Sequence, residues 1–145
     1  MLPITLILSS FFFMEFVAWF THKYIMHGFL WSWHESHHKP HDHKLEKNDL
    51  FGIVFSFPAV ALTILGCIYD QVGYLKWIGI GITCYGIFYF IFHDVIVHRR
   101  LDIKFAAKSN YMKRLIRAHK IHHKKMEKEN GEAFGFLWAP KKYQI

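Results

Sequence analysis

Three long apolar runs constrain the fold of this 145-residue chain more than any other feature. Between them they contain one charged residue, Glu15; the runs are Leu2–Phe20, Leu50–Tyr69 and Trp77–Phe92. About 20 apolar residues cross a bilayer core as a helix. The first two runs are therefore long enough alone, and apolar residues after Phe92 can extend the third. We expect an all-α integral membrane protein with three to four transmembrane helices, forming a single domain over residues 1–145.

The positive charge lies almost wholly at one end of these runs. Of the 18 Lys and Arg residues, only Lys76 belongs to the connection between the second and third runs. By the positive-inside rule, residues 21–49 and 93–145 should lie on the cytoplasmic side of the cell's inner (cytoplasmic) membrane. Because this charge flanks membrane segments, we expect it to contact anionic lipid head groups and we expect no nucleic-acid partner.

The last part of the chain is typical of an amphipathic helix on the cytoplasmic surface. Ser109 or Asn110 can cap a helix over Tyr111–Glu129. One stripe of this segment carries Leu115, His119, His122 and Met126, whereas Lys and Arg occupy the remainder. Such a helix lies on a membrane and does not cross it. We expect it to form a cap over the transmembrane bundle.

The third apolar run contains three glycines, Gly79, Gly81 and Gly86. Small residues let membrane helices approach closely. The same residues can instead leave room for a bulky ligand. The sequence does not distinguish these two roles.

Ten of the twelve histidines belong to one spacing pattern that occurs twice, HxxxxH followed by HxxHH. Imidazole is a suitable ligand for zinc, copper, iron or nickel. Clustered imidazoles without a metal would be costly in a partly dry site. One ion takes four to six ligands, so eight to ten histidines indicate two ions. The candidate ligands are His22, His27, His34, His37, His38, His93, His98, His119, His122 and His123; His41 and His43 lie outside the pattern and should be solvated.

The two spacings predict different geometries. An α-helix turns about 100° per residue, so His22 and His27 would lie roughly 140° apart and should serve different ions or opposite sides of a helix end. In HxxHH all three histidines share one face. That face could offer one histidine to each of two ions, with the third shared or axial. We therefore expect the two sets to interleave.

Two other interpretations use the same residues. His34-Glu35-Ser36-His37-His38 also matches the HExxH signature of zinc proteases, in which the glutamate is the general base. The second set has Lys120 in place of that glutamate, which makes Glu35 incidental if both sets do the same task. A metal transporter would need polar ligands near the bilayer midplane, and the middles of the three runs contain no His, Asp, Glu, Lys or Arg.

Glu15 remains to be placed, because a carboxylate within a span is costly and often functional. It lies close to the cytoplasmic end of the first run. We expect it to reach the interface or to pair with Lys23. The alternative is a role near the metal site.

The segments HKYIMHGFLWSWHESHH, NDLFGIVF, YFIFHDVIVHRR, AHKIHH and FGFLWAP resemble the fatty acid hydroxylase and sterol desaturase superfamily, and within it the bacterial β-carotene hydroxylases. The resemblance implies a non-haem di-iron monooxygenase whose two Fe ions are held by the ten histidines. Its co-substrate would be O₂, and C3 of each β-ionone ring would be hydroxylated to give β-cryptoxanthin and then zeaxanthin. Oxidation of a fatty acid or sterol remains the alternative.

The resemblance also implies an electron donor of the ferredoxin type, supplied by NAD(P)H. A basic surface on the last helix could dock an acidic ferredoxin. Contact of that surface with lipid head groups is equally compatible with the sequence. The residues concerned are Lys113, Arg117, Lys124 and Lys125.

Overall fold

The computed structural model describes residues 1–40 and 45–144, and the regular structure within these ranges is helical. Two of the transmembrane helices continue directly into π-helical segments. The elements are α1 (Leu2–Phe20), π1 (Thr21–Phe29), α2 (Trp31–His38), α3 (Leu50–Ile68), α4 (Leu75–Tyr89), π2 (Phe90–Val97) and α5 (Asn110–His122). Short 3₁₀ turns occur at Lys47–Asp49, Asp70–Val72 and Lys141–Tyr143.

Three helices are long and apolar enough to cross a membrane, Leu2–Phe29, Lys47–Ile68 and Leu75–Val97. Each of the three apolar runs therefore corresponds to one span. Within the described ranges there is no fourth helix of this kind. The expectation of a multi-pass membrane protein is confirmed, with three spans out of the expected three to four.

Helix α4 is the centre of the bundle, because both α1 and α3 pack against it. A Cβ atom at Gly79 would lie 2.6 Å from the carbonyl oxygen of Ala59 on α3. A Cβ atom at Gly81 would lie 2.5 Å from the carbonyl oxygen of Ile7 on α1. Two of the three glycines therefore permit close helix approach.

Helix α5 begins where the sequence indicates but ends earlier. The Ser109 hydroxyl accepts a hydrogen bond from the Met112 amide at 3.2 Å, which caps the first turn. The helix ends at His122, seven residues before the expected Glu129. Beyond it, the carbonyls of Lys125 and Lys128 accept hydrogen bonds from histidine side chains and not from helix amides.

The hydrophobic core lies at the ends of the spans where the histidines are. It brings together π2, α5 and the C-terminal segment in a cluster of Phe92, Val97, Leu115, Ala118, Phe136, Ala139 and Tyr143. Residues 134–138 are apolar and aromatic. Within this segment Phe136 lies inside the core, 3% exposed, while Trp138 is 69% exposed. The segment therefore helps to enclose the histidines.

Candidate metal centre

The structure brings all ten patterned histidines together in two groups of five. Within each group the candidate ligand atoms lie within 4.8 Å of one another. Group A consists of His22, His27, His34, His38 and His122. Group B consists of His37, His93, His98, His119 and His123. Each group is large enough to fill the coordination sphere of one ion.

The two halves of the chain exchange one histidine each. On α2, His34 and His38 belong to group A, whereas His37 between them belongs to group B. On α5, His119 belongs to group B and His122 to group A. The expected interleaving is therefore present, but HxxHH divides two to one between the groups and no histidine is shared.

The expectation that the two histidines of each HxxxxH serve different ions was wrong. His22 and His27 lie in the same group, and so do His93 and His98. Both pairs lie at π-helical turns, where the backbone bonds from residue i to residue i+5. The His98 amide donates to the His93 carbonyl at 2.9 Å in this way. A π-helical turn places residues five apart on one face, which the ideal α-helix does not.

Each histidine of group A is oriented by an oxygen atom behind it. The Nδ1 atoms of four rings donate to main-chain carbonyls, and that of His34 donates to the Asn48 side-chain oxygen at 2.7 Å. The four carbonyl pairs are His22 with Phe134 at 3.0 Å, His27 with Lys128 at 3.0 Å, His38 with Lys125 at 2.7 Å and His122 with Glu132 at 2.8 Å. An acceptor on Nδ1 fixes the ring tautomer, so Nε2 carries a free lone pair.

These lone pairs point at one another. The Nε2 atoms of His22 and His38 each lie 3.1 Å from that of His34. Those of His27 and His122 lie 3.3 Å apart. With every proton on the outer nitrogen, none of these contacts can be a hydrogen bond, and the buried lone pairs need a cation between them. The donor set of group A therefore fits a metal ion.

Group B has carboxylates as outer partners. His37 Nδ1 lies 2.8 Å from the Glu46 carboxylate, and His93 Nδ1 lies 3.4 Å from Asp94. Arg100 donates to Asp94 at 2.9 Å and to Asp49 at 2.6 and 2.8 Å. His119 Nδ1 is buried with no hydrogen-bond partner among the described residues. The two groups thus have the same ligand type but different surroundings.

Burial lowers the pKa of several of these imidazoles. Removal from water, opposed by the Asn48 hydrogen bond, lowers the pKa of His34 to about 2. The same loss of solvation lowers the pKa of His98 and His122 to about 3 and that of His38 to about 4. Neutral imidazole is the form that binds metal. These four histidines therefore resist protonation, and their nitrogen lone pairs remain available to a metal cation.

A cavity of about 1340 Å³ connects the histidines to the membrane-spanning region. At its polar end it is lined by His37, His98 and His123, and along the spans by side chains of α1, α3 and α4. The spans contribute mainly apolar and small residues. A lipid-soluble molecule can therefore reach both groups from the bilayer side.

The HExxH interpretation does not fit this arrangement. Glu35 is 40% exposed and pairs with Lys39 at 2.5 Å. It does not line the cavity that reaches the histidines. His34 and His38 lie in group A with three further histidines. Glu35 is therefore not positioned to act as a general base. This agrees with the second histidine set, which has Lys120 at the equivalent position.

Glu15 has partners that sequence reasoning missed. Its carboxylate accepts from the Tyr85 hydroxyl at 2.7 Å and from the amides of Phe136 and Leu137 at 2.8 Å each. The expected pairing with Lys23 is wrong, since that ammonium lies over the rings of Trp19 and Tyr24. The lone carboxylate in an apolar run was a sequence signal, but two of its three partners are main-chain amides, which have no sequence signature.

The other missed residues are Glu46, Asn48, Asp94 and Arg100. Asp94 and Arg100 adjoin the second HxxxxH motif in sequence, which could have indicated them. Glu46 and Asn48 belong to a polar loop, and only the fold brings them behind His37 and His34. His41 and His43, expected to be solvated loop residues, lie outside the described residues.

Comparison with known proteins gives one consistent family. The family model for fatty acid hydroxylases matches residues 7–139. A protein of Paracoccus sp. described as beta-carotene hydroxylase is 45% identical over 128 residues, which is 88% of this chain and 78% of the relative. One from Pseudescherichia vulneris with the same description is 47% identical, covering 88% and 72%.

A plant protein extends the similarity beyond bacteria. The chloroplastic beta-carotene hydroxylase 2 of Capsicum annuum is 38% identical over 133 residues, covering 90% of this chain and 42% of the relative. No solved structure matches the chain.

Proposed function

Because the chain belongs to the fatty acid hydroxylase family, we propose that it is an O₂-dependent monooxygenase of carotenoids. Its reaction would be hydroxylation at C3 of the β-ionone rings of β-carotene, giving β-cryptoxanthin and then zeaxanthin. The similarity to beta-carotene hydroxylases over most of the chain supports the substrate. The observation that carries the chemistry is the pair of five-histidine groups at the end of an apolar cavity.

The metal we propose is iron, one ion in each group. Imidazole nitrogen is a suitable ligand for iron, and the ligands would be the ten histidines of groups A and B. When bound, the two irons supply the reduction of O₂ with two electrons and two protons, so that one oxygen atom enters the C–H bond and the other leaves as water.

The protein's own residues hold and aim the substrate. The cavity walls on α3 and α4 are apolar, so they exclude water and bind a hydrocarbon. His98 and His123 border the cavity where it meets group B. A ring that enters from the bilayer would therefore stop against the histidines with its edge carbons foremost.

Electrons would come from a reduced ferredoxin-type protein, in turn supplied by NAD(P)H. An exposed basic face of α5 and the residues after it supports this partner; it consists of Lys113, Arg117, Lys124 and Lys125. Opposite charge steers such an encounter and fixes its orientation. We place this face and the histidines on the cytoplasmic side of the inner membrane, from the distribution of Lys and Arg.

The direct test is expression of the chain in a bacterial host that accumulates β-carotene. We expect conversion to zeaxanthin, with β-cryptoxanthin as the intermediate, measured by chromatography of the extracted pigments. Unchanged β-carotene together with an altered fatty acid or sterol profile would instead favour a hydroxylase or desaturase of those lipids.

Paired histidine variants test the two-metal centre in the same host. The double variant His119→Ala and His123→Ala removes two members of group B and should lose both metal and product. The matched control, His41→Ala with His43→Ala, removes two histidines outside the pattern and should retain both. Full activity in the first variant would contradict the two-metal centre.

A further inference from the structure

Helices α3 and α4 are held together tightly at the end far from the histidines. A Cβ atom at Gly66 would lie 2.2 Å from the Lys76 amide nitrogen. One at Gly79 would lie 2.3 Å from the Thr63 hydroxyl and 2.6 Å from the Ala59 carbonyl. The two backbones therefore touch at this end, and there is no room for a side chain between them.

Toward the histidines the same two helices separate. Gly86 lies seven residues after Gly79, which is about two turns and roughly 10 Å along the same face of α4. A Cβ atom at Gly86 meets nothing within 4 Å, and one at Gly52 on α3 also meets nothing. Both glycines line the cavity. The pair is thus a wedge, closed at Gly79 and open at Gly86.

The other helix pair stays closed in the same region. On the α1 side, Gly81 contacts Ile7 and Ser10, and the rings of Phe11 and Tyr85 lie 5.5 Å apart. The hydrogen bond from Tyr85 to Glu15 then ties the helices together one turn further. At this level α1 and α4 are therefore in contact, whereas the space beside Gly86 lies between α4 and α3.

The cavity includes this wedge and continues to the histidines and the polar residues beside them, such as Glu46 and Arg100. Its volume of about 1340 Å³ exceeds the roughly 300–1,000 Å³ typical of small-molecule pockets. A saturated acyl chain is narrow along its whole length. A carotenoid with cyclised ends carries a wide ring at the position to be oxidised, which needs a wider passage near the metal end.

We propose that Gly86 is a specificity-determining residue, because its missing side chain leaves the space through which a cyclic end group reaches the histidines between α3 and α4. This rests on the proposed function and adds to it the part of the cavity that selects the substrate. Gly52 on the opposite wall contributes to the same opening. A side chain at position 86 should narrow the passage for a ring and leave it adequate for a linear chain.

The test compares two carotenoids that differ in their ends. β-Carotene has two cyclised ends, and lycopene is the open-chain carotenoid with the same number of carbons. The wild type and the variant Gly86→Leu are purified from hosts that accumulate one or the other, and bound pigment per protein is read from visible absorbance. We expect the variant to retain β-carotene roughly tenfold less well or worse, with lycopene retained as in the wild type.

A matched control places a leucine on the other side of the helix. Cys84 lies two residues away, is exposed at the outer surface and does not line the cavity. Cys84→Leu should bind both pigments as the wild type does. Metal content, measured for each protein, should be unchanged, because neither position contacts the histidines.

Equal retention of β-carotene by Gly86→Leu and the wild type would overturn the inference, and so would equal loss of both pigments in a variant that keeps its metal. If Gly86→Leu does not fold, Gly86→Ala takes its place and should show a smaller loss in the same direction. A wild type that binds β-carotene without hydroxylating it would contradict the proposed function while leaving the selection by Gly86 measurable.

Discussion

Glu15 connects a transmembrane helix to the segment that orients two metal-ligand candidates. Its carboxylate accepts hydrogen bonds from the amides of Phe136 and Leu137, two and three residues after Phe134, whose carbonyl accepts from His22. Glu132 in the same segment holds His122 by its carbonyl. Three hydrogen bonds offset the cost of a carboxylate in this position. Glu15 therefore acts on group A through the backbone of the C-terminal segment.

Replacement of Glu15 should loosen this segment. Glu15→Leu removes three hydrogen bonds to a charged acceptor, and we expect a loss of about 2 kcal/mol or more in stability. We expect lower metal content as well, because His22 and His122 lose their fixed orientation. Metal analysis and limited proteolysis after residue 130 would measure both effects. Glu15→Gln keeps one acceptor oxygen and should recover most of the metal. Equal metal content in the two variants would show that the hydrogen bonds of Glu15 do not hold the C-terminal segment in place.

Among the residues that the structure describes, Asn48 is the one side chain whose oxygen accepts a hydrogen bond from a group A histidine. Without its oxygen, His34 Nδ1 has no fixed acceptor, and the ring can place its proton on Nε2. We expect Asn48→Leu to lower metal affinity by roughly 10- to 100-fold. Asn48→Asp retains an acceptor at this position and serves as control. Competition with a chelator of known affinity measures the change, and unchanged affinity in the leucine variant would show that His34 needs no partner.

The π-helical segments explain which part of the site the sequence could indicate. The ten histidines and the need for two ions follow from spacing and ligand number. The placement of His22 and His27 in one group does not follow from spacing, because an ideal α-helix separates the two side chains and a π-helical turn is rare. Such a turn forms where tertiary contacts favour it, and those contacts depend on His34 and His122 from elsewhere in the chain. Local sequence carries no sign of them.

The glycines of α4 should differ in their tolerance of a methyl group. Gly79→Ala places Cβ against the α3 backbone and Gly81→Ala against that of α1, so each should cost about 1–3 kcal/mol in stability. Gly86→Ala meets no neighbour and should not destabilise the fold. Thermal unfolding of the three variants in detergent measures this order. A destabilised Gly86→Ala beside a stable Gly79→Ala would contradict the wedge between α3 and α4.

The ten candidate metal ligands lie where the three spans end together. Spans and loops could be predicted from apolar runs and turn residues such as Asp70 and Gly73. The enclosure of the histidines by the C-terminal segment could not. Its contribution comes largely from main-chain groups, the carbonyls of Lys125, Lys128 and Phe134 among them. Any residue type supplies a carbonyl, so composition and spacing give no indication of which ones will be used.

Charge distribution predicts the orientation of the whole chain in the membrane. Gln71 lies in the short turn between α3 and α4, and Lys124 follows α5 at the histidine end; both are exposed. With the native Cys67 and Cys84 replaced by alanine, Gln71→Cys should react with a membrane-impermeant maleimide in intact cells. Lys124→Cys should react only after the cells are opened. The reverse pattern would place the histidines outside the cell, and a cytosolic electron donor could not then reach them.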